Sequence, residues 1–275
     1  MTPSIGIMQG RLLPERLDRL QVFPMSKWKE ELTVAGQLGF NCFELLYDKE
    51  MILSSLMEEE DNYQDLGLCS ENGVFDVKST SVCLDCLAEI ALITEATSSS
   101  FLNELKRAMY FFKNSSIDVL VIPFCDKNEI MTANDLRCAL IALENSGLDK
   151  LAADFDLLLS LELTLPADII VDEFSVQSFA NIGICFDLGN IRSAGFQPEV
   201  EIIKLGGLIN HVHIKDRLVG GPNVMLGMGE VDFKACFKSL RKSGYSGRFI
   251  LETRYFVDPL KEASLNLNYL ESVVD

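Results

Sequence analysis

Three observations predict an α/β protein built as a (β/α)8 TIM barrel in one domain, residues 1–275. Apolar β-type runs alternate with helical patterns from end to end, as βαβ units do. Four runs of the C-terminal half each end on a residue that can ligate a metal: LLLSLELTLP on Glu162, IGICFDLGN on Asp187, INHVHIKDR on His213 and RFILETRY on Glu252. Convergence of residues from several strand ends is the layout of a barrel active site. The length, 275 residues, suits a barrel of about 250 residues. A doubly wound open sheet is the alternative, but it would not gather those four residues around one point.

The elements follow in order. The first strand is Ser4 to Gly10, followed by a loop with Pro14 and Pro24 and a helix from about Ser26, as N-cap, to Leu38, stopped by Gly39. Asn41 to Asp48 is the second strand, and its helix ends near Gly73. The third strand, Phe75 to Cys83, leads to a helix over Ser99 to Lys113, and the fourth, Ile117 to Phe124, to one over Ala133 to Ala153 starting near Asn134. Strand five is Asp156 to Leu163. Short helices over Val171 to Phe179 and Pro198 to Leu205 lead to strands six and seven. Asp232 to Ser243 then leads through SGYSG to strand eight, and Pro259 to Val274 closes the chain.

Side chains alternate across a strand, which sorts these runs into two faces. Leu158, Ser160 and Glu162 share one face; so do Gly183, Cys185 and Asp187, then His211, His213 and Lys215, then Arg248, Ile250 and Glu252. The opposite faces are apolar and should pack under the outer helices. The four candidate ligands therefore fall on the side that faces the barrel mouth. Three carboxylates and one imidazole make a mixed oxygen and nitrogen set for a divalent cation.

Composition narrows the partners. A net charge of −17 repels phosphate backbones and disfavours nucleic acid. An apolar content of 48% supports a large core. No apolar run is long enough for a bilayer and no basic, small-residue leader stands at Met1, so the cytoplasm is the expected location, without membrane association. The eight cysteines show no secreted-type framework and read as reduced thiols. Cys83 and Cys86 form a CxxC without a second pair, and read as buried small side chains.

The segments LELTLP, CFDLGN, HVHIKDR, LGMGEVDF and GYSGRFILET, with GIMQGRLLP and GFNCFELLYD nearer the start, resemble the xylose isomerase-like TIM-barrel superfamily, in its sugar phosphate isomerase/epimerase group. The resemblance spans nearly the whole chain. It implies a divalent metal on Glu162, Asp187, His213 and Glu252, with Glu162 and Glu252 also moving the protons. One motif departs from the pattern. The group's ketose 3-epimerases resemble Asp-x-x-His on strand six, whereas this chain has Asp187-Leu188-Gly189-Asn190. Asn190 can hydrogen-bond a hydroxyl but cannot titrate.

The expected function is thus a metal-dependent isomerase or epimerase of a small sugar or sugar phosphate, working through a metal-stabilised enediolate. The metal is Mn²⁺ by preference, with Mg²⁺, Co²⁺ or Zn²⁺ as alternatives. Arg11, Glu44, Asn190 and Lys215 are the substrate-binding candidates, Lys78 being similar to Glu44 on strand three. His211 serves the site directly or is a satisfied buried histidine. Asp216 and Arg217 are expected to form a loop ion pair. Gly227 and Gly229 either offer amides to a ligand or make a plain turn. Trp28 is expected under the first helix rather than over a sugar ring. An inosose-type dehydratase, or a non-catalytic ligand-binding barrel, are the other readings, and a homo-oligomer is compatible with all of them.

Overall fold

The computed structural model describes residues 3–14, 21–53, 77–90, 95–125 and 128–274. Eight parallel strands close into a barrel in chain order: β1 Ile5–Met8, β2 Cys42–Leu46, β3 Lys78–Cys83, β4 Val119–Pro123, β5 Leu158–Glu162, β6 Ile182–Asp187, β7 Ile209–Ile214 and β8 Phe249–Leu251. β8 pairs back onto β1 through Ile5–Phe249 and Ile7–Leu251. Closure excludes the open doubly wound sheet. The helices outside it are α1 Trp28–Leu38, α2 Lys49–Leu53, α3 Glu95–Phe112, α4 Ala133–Asn145, α5 Leu148–Asp154, α6 Ala167–Ser175, α7 Leu188–Ser193, α8 Pro198–Leu205, α9 Phe233–Lys242 and α10 Pro259–Val273.

Alternation explains the two cores. Outward residues such as Leu159, Leu161, Ile184, Phe186, Val212 and Ile214 join the large core beneath the helices. Inward residues such as Met8, Cys42, Cys83, Val121, Cys185 and Ile250 pack with one another inside the barrel. The strands keep their apolar faces out, and the ionisable residues of the inner face gather near the C-terminal ends of β5 to β8.

Two register shifts interrupt the pattern. Between β6 and β7, Ile184 pairs with Ile209 but Cys185 pairs with His211, so Asn210 is the extra residue of a bulge. Its amide turns inward to Ser160 Oγ, at 2.5 Å, and occupies the space a side chain on Gly183 would need. This shift lets Ile209 pack outward while His211 and His213 both point in. A second shift lies between β2 and β3 at Phe43/Glu44.

Helix boundaries differ from the expected ones for local reasons. The single helix expected over Ala133 to Ala153 is two, α4 and α5, broken where Gly147 takes a left-handed φ of 70°. α4 starts at a capping box, with Thr132 and Asp135 bonding each other's backbone N–H. α6 begins four residues earlier than expected because Glu201 of α8 accepts the Ala167 N–H at 2.6 Å. α7 was not expected; Asp187 caps it. α1 starts at Trp28 behind Lys27, without a side-chain cap, and ends as expected at Gly39, φ 99°. The expected end of the second helix near Gly73 and the start of strand three at Phe75 lie outside the described residues. Among the described residues no helix is long and apolar enough to cross a membrane.

Candidate metal and active site

Four strand ends bring Glu162, Asp187, His213 and Glu252 together. One ligand atom from each lies within 4.8 Å of all the others. Two donors each about 2.2 Å from a shared ion are at most about 4.4 Å apart, so the set needs to draw in only slightly to hold one. Asp187 pairs with His213 across β6 and β7, and His213 with Ile250 of β8. The Glu252 N–H continues that ladder, donating to Ile214 O at 3.0 Å.

The local chain aims each donor. Asp187 spends Oδ1 on the α7 N-terminus, accepting the Asn190 N–H at 2.6 Å, which leaves Oδ2 for the cluster. His213 Nδ1 lies 3.1 Å from Glu252 Oε2 and 3.9 Å from Glu162 Oε2. Glu162 Oε1 accepts from Asn190 Nδ2 at 3.0 Å. Glu252 Oε1 faces Arg11 Nη2 at 3.6 Å and accepts from Gln21 Nε2 at 3.2 Å. Asp187 Oδ2, His213 Nδ1 and Glu252 Oε2 are buried without a well-aligned hydrogen bond. Buried polar atoms rarely stay so, and these three face one volume. The Lys215 ammonium enters it, 3.0 Å from Asp187 Oδ2 and 2.8 Å from Glu252 Oε2. A positive charge therefore sits against the very oxygens that would ligate a cation. On donor type, burial and spacing, the residues fit a divalent ion.

The carboxylates sit in different fields. Burial, reinforced by the Glu252 charge, pushes Glu162 up to about 7 against His213 and Lys215. Burial works the same way on Glu252, but Lys215, His213 and Arg11 together hold it well below the usual range. Asp187 is raised by burial against the pull of Lys215. Lys215 is desolvated too, yet Asp187, Glu252 and Glu162 raise it. His213 is raised well above its ordinary value against its own burial, with the Cys185 and Glu44 sites and Glu252 favouring the proton.

Several expected roles move. Glu44 was placed against substrate; the structure buries it completely and gives both its oxygens to histidines, Oε2 to His211 Nε2 at 2.7 Å and Oε1 to His213 Nε2 at 2.8 Å. Lys78 is exposed at the start of β3, opposite Cys42, at the far end of the barrel from the cluster. Arg11 is buried behind Glu252. The expected Asp216–Arg217 pair does not form. Asp216 instead accepts the backbone N–H groups of Gly227 and Gly229, each at 2.9 Å, and of Val231 at 3.2 Å. Arg217 donates to Asn190 Oδ1 at 3.1 Å and to Gly221 O at 2.9 Å. The Gly227 and Gly229 amides thus belong to the loop. Trp28 packs with Phe23 at the start of α1, ring centroids 6.4 Å apart. Cys83 and Cys86 are free buried thiols in different cores.

Sequence reasoning missed Glu31, Gln21 and Arg217. Glu31 accepts N–H bonds from Gly10, Leu12 and Leu13 and so fixes the loop that delivers Arg11. Its signal was present: Trp28, Glu31, Leu32 and Ala35 form the buried stripe of α1, and an acid at core spacing asks for donors. Gln21, in an irregular loop, carried no such signal.

Residues 169–273 match the family model described as xylose isomerase-like TIM barrel. The chain is 27% identical over 240 residues to the L-ribulose-5-phosphate 3-epimerase UlaE of Salmonella heidelberg (strain SL476), covering 82% of this chain and 81% of that protein. Among solved structures, an L-ribulose 3-epimerase superposes with a TM-score of 0.76 at 14% identity, covering 100% of this chain and 95% of the other. An IolI protein with a bound zinc atom superposes at 0.73 with 15% identity, covering 98% of both. A closed eight-strand barrel with a cluster of metal-ligand residues at its strand ends goes with these likenesses: residues 169–273 match the xylose isomerase-like TIM barrel model, and the chain as a whole is similar to sugar epimerases and isomerases.

Proposed function

We propose that the chain is a divalent-cation-dependent epimerase of a small ketose phosphate, inverting C3 next to the carbonyl. The observation that carries this reading is the opposed state of two carboxylates at one site, Glu162 inclined to hold a proton near pH 7 and Glu252 held as the anion. Environments that push two acids apart assign acid and base. The likeness to an L-ribulose-5-phosphate 3-epimerase supports the substrate class.

Glu162, Asp187, His213 and Glu252 would hold the ion, Mn²⁺ by preference with Mg²⁺, Co²⁺ or Zn²⁺ as alternatives; when bound it polarises the substrate carbonyl and a neighbouring hydroxyl. The rest falls to the chain. One glutamate takes the C3 proton and the bond's electron pair moves to the carbonyl oxygen, giving an enediolate. The other glutamate returns a proton to C3 from the opposite face. Glu162 comes from β5 and Glu252 follows β8, three strands further round the barrel, so the two approach a sugar from different sides. Asn190 orients Glu162, and Arg217 fixes the Asn190 amide, whose oxygen faces the guanidinium. Arg11 and Gln21 hold Glu252 Oε1. Lys215 is positioned to bind a substrate oxygen once it leaves the carboxylates. The net charge of −17 disfavours a nucleic acid, and a small phosphorylated substrate would depend on local cations such as Lys215.

The test is incubation with L-ribulose 5-phosphate and Mn²⁺ in D2O, followed by NMR. The expected product is the C3 epimer carrying one deuterium at C3. Glu162→Gln and Glu252→Gln should each lower kcat by about 10²–10⁴-fold. Label at C1 or C2 would indicate aldose–ketose isomerisation, and loss of water a dehydratase. No turnover of ketoses or their phosphates with any of the four metals would overturn the proposal.

A further inference from the structure

The whole chain contains two histidines, and both rings end on one carboxylate. His211 and His213 follow one another along the inner face of β7 with ring centroids 5.2 Å apart. Glu44 reaches them from β2, across the barrel interior. Its Oε2 meets His211 Nε2 at 2.7 Å and its Oε1 meets His213 Nε2 at 2.8 Å. All three side chains are buried. A carboxylate has only lone pairs to offer, so each ring must turn an N–H towards it. For His213 this settles the other nitrogen. Nδ1 is left facing the acidic cluster, 3.1 Å from Glu252 Oε2.

The geometry points to Glu44 as a positioning residue that presents His213 Nδ1 to the cation, with His211 holding the second oxygen so that the carboxylate cannot rotate away. This inference rests on the cation reading above and adds the residue that orients its single nitrogen donor. Ligating histidines commonly donate their second N–H in this way, and loss of the acceptor weakens metal binding about 10–100-fold. Here one acceptor serves two rings, of which only His213 reaches the cluster. Glu44 comes from β2, separated from β7 by β1 and β8, so ligand orientation is tied to barrel closure. Movement of β2 away from β7 would free both rings together.

The experiment uses the full chain with its two histidines labelled with ¹⁵N and Zn²⁺ as the probe. In the wild type, Nε2 of both rings should carry a slowly exchanging proton with and without Zn²⁺, and added Zn²⁺ should shift Nδ1 of His213 alone. Glu44→Gln offers one acceptor and one unwanted NH2. It should speed exchange of the His213 Nε2 proton and raise the Zn²⁺ dissociation constant about 10–100-fold. Should Glu44→Gln fail to fold, Glu44→Asp keeps the charge but is too short to reach both rings, and should weaken Zn²⁺ in the same sense. A folded variant with Zn²⁺ affinity within about threefold of wild type and unchanged His213 signals overturns the inference. So does a wild type whose His213 lacks the Nε2 proton. If Zn²⁺ does not bind the wild type, the cation reading falls by itself, and the ring-proton pattern of wild type against Glu44→Gln still decides whether Glu44 sets the His213 ring.

Discussion

Glu162 and Glu252 are alike in chemistry and opposed in surroundings, and the difference has a consequence for cation binding. Glu162 titrates near 7 because burial and the Glu252 charge disfavour its anion. The pKa of His213 is raised well above its ordinary value against its own burial, with Glu44 and Glu252 favouring the proton. Both must present lone pairs to a metal, so the metal must displace their protons. For a folded-state pKa raised above the unfolded value, the stabilising proton is fully present at low pH and is lost as pH rises through the folded pKa. The metal-free protein therefore loses this contribution from Glu162 as pH rises from about 4 to about 7. Affinity for a divalent ion moves the other way. It should increase by more than about tenfold per pH unit between pH 5.5 and 7, a factor of about ten for each proton displaced. Calorimetry of Mn²⁺ binding in buffers of different ionisation enthalpy should show more than one proton released at pH 6. An affinity that does not change between pH 6 and 8 would contradict the assigned ligands. At this scale legibility followed chemistry. That Glu162, Asp187, His213 and Glu252 meet at one place was readable because they lie at or near the ends of apolar runs. The use of Glu44 was not, because a carboxylate on the inner face of a strand looks the same from the sequence whether it meets a sugar or two imidazoles.

β7 and its loop show what an element contributes. The strand places His213 inward, Lys215 above it and Asp216 at the start of the loop, within a two-stranded ribbon that pairs Asp216 with Val224. Asp216 then folds the loop by gathering the N–H groups of Gly227, Gly229 and Val231. Gly229 must be glycine for this, since a Cβ would stand 2.2 Å from Asp216 Oδ1. Asp216→Asn keeps the shape but can turn an NH2 towards donors. It should destabilise the protein by about 1–3 kcal/mol and lower the melting temperature by several degrees. Gly229→Ala should disturb the loop at least as much, because neither Asp216 Oδ1 nor the backbone oxygen of Arg217, 2.9 Å from the added Cβ, can move aside freely. Thermal unfolding by circular dichroism measures both, and an unchanged midpoint for either would show that the loop is held by something else. Elements as a whole were legible from the alternation of β-type and helical runs, and within the described residues each of the eight strands overlaps an expected one. Failures cluster where a single side chain overrides propensity. Gly147 splits one helix, Glu201 starts another early, and Asp187 caps one that no periodic pattern announced. The pairing Asp216–Arg217 was expected from adjacency, but neighbours on a strand point to opposite faces, and each found partners on its own side.

At the scale of the molecule, the barrel buries Glu44, Asp187 and Glu252 and half-buries Glu162, inside an already acidic chain of net charge −17. Burying charge is costly unless it is paired. Lys215, Arg11 and the two histidines offset the cost in part, and Lys215 does so from within the volume a cation would take. A divalent ion would bring two charges to a place where the ammonium brings one, and would compete with Lys215 for the same oxygens. It would bind only the closed barrel, since the candidate ligands come from four strands that are far apart in the unfolded chain. Mass action then stabilises the fold by about 2.7 kcal/mol when the ion is at 100 times its dissociation constant. For a chain of this size that raises the melting temperature by about 5–10 °C. Scanning calorimetry with excess chelator, then with Mn²⁺, Mg²⁺, Co²⁺ or Zn²⁺ in turn, measures the shift and ranks the ions. The rise should vanish in Asp187→Asn, which keeps the shape of the α7 cap but removes the anionic ligand. It should grow smaller as pH falls from 8 to 6, because protons then compete for Glu162 and His213. A melting temperature unmoved by all four ions, in a protein that is otherwise folded, would mean that Lys215 is the site's permanent cation and that the carboxylates hold an ammonium rather than a metal.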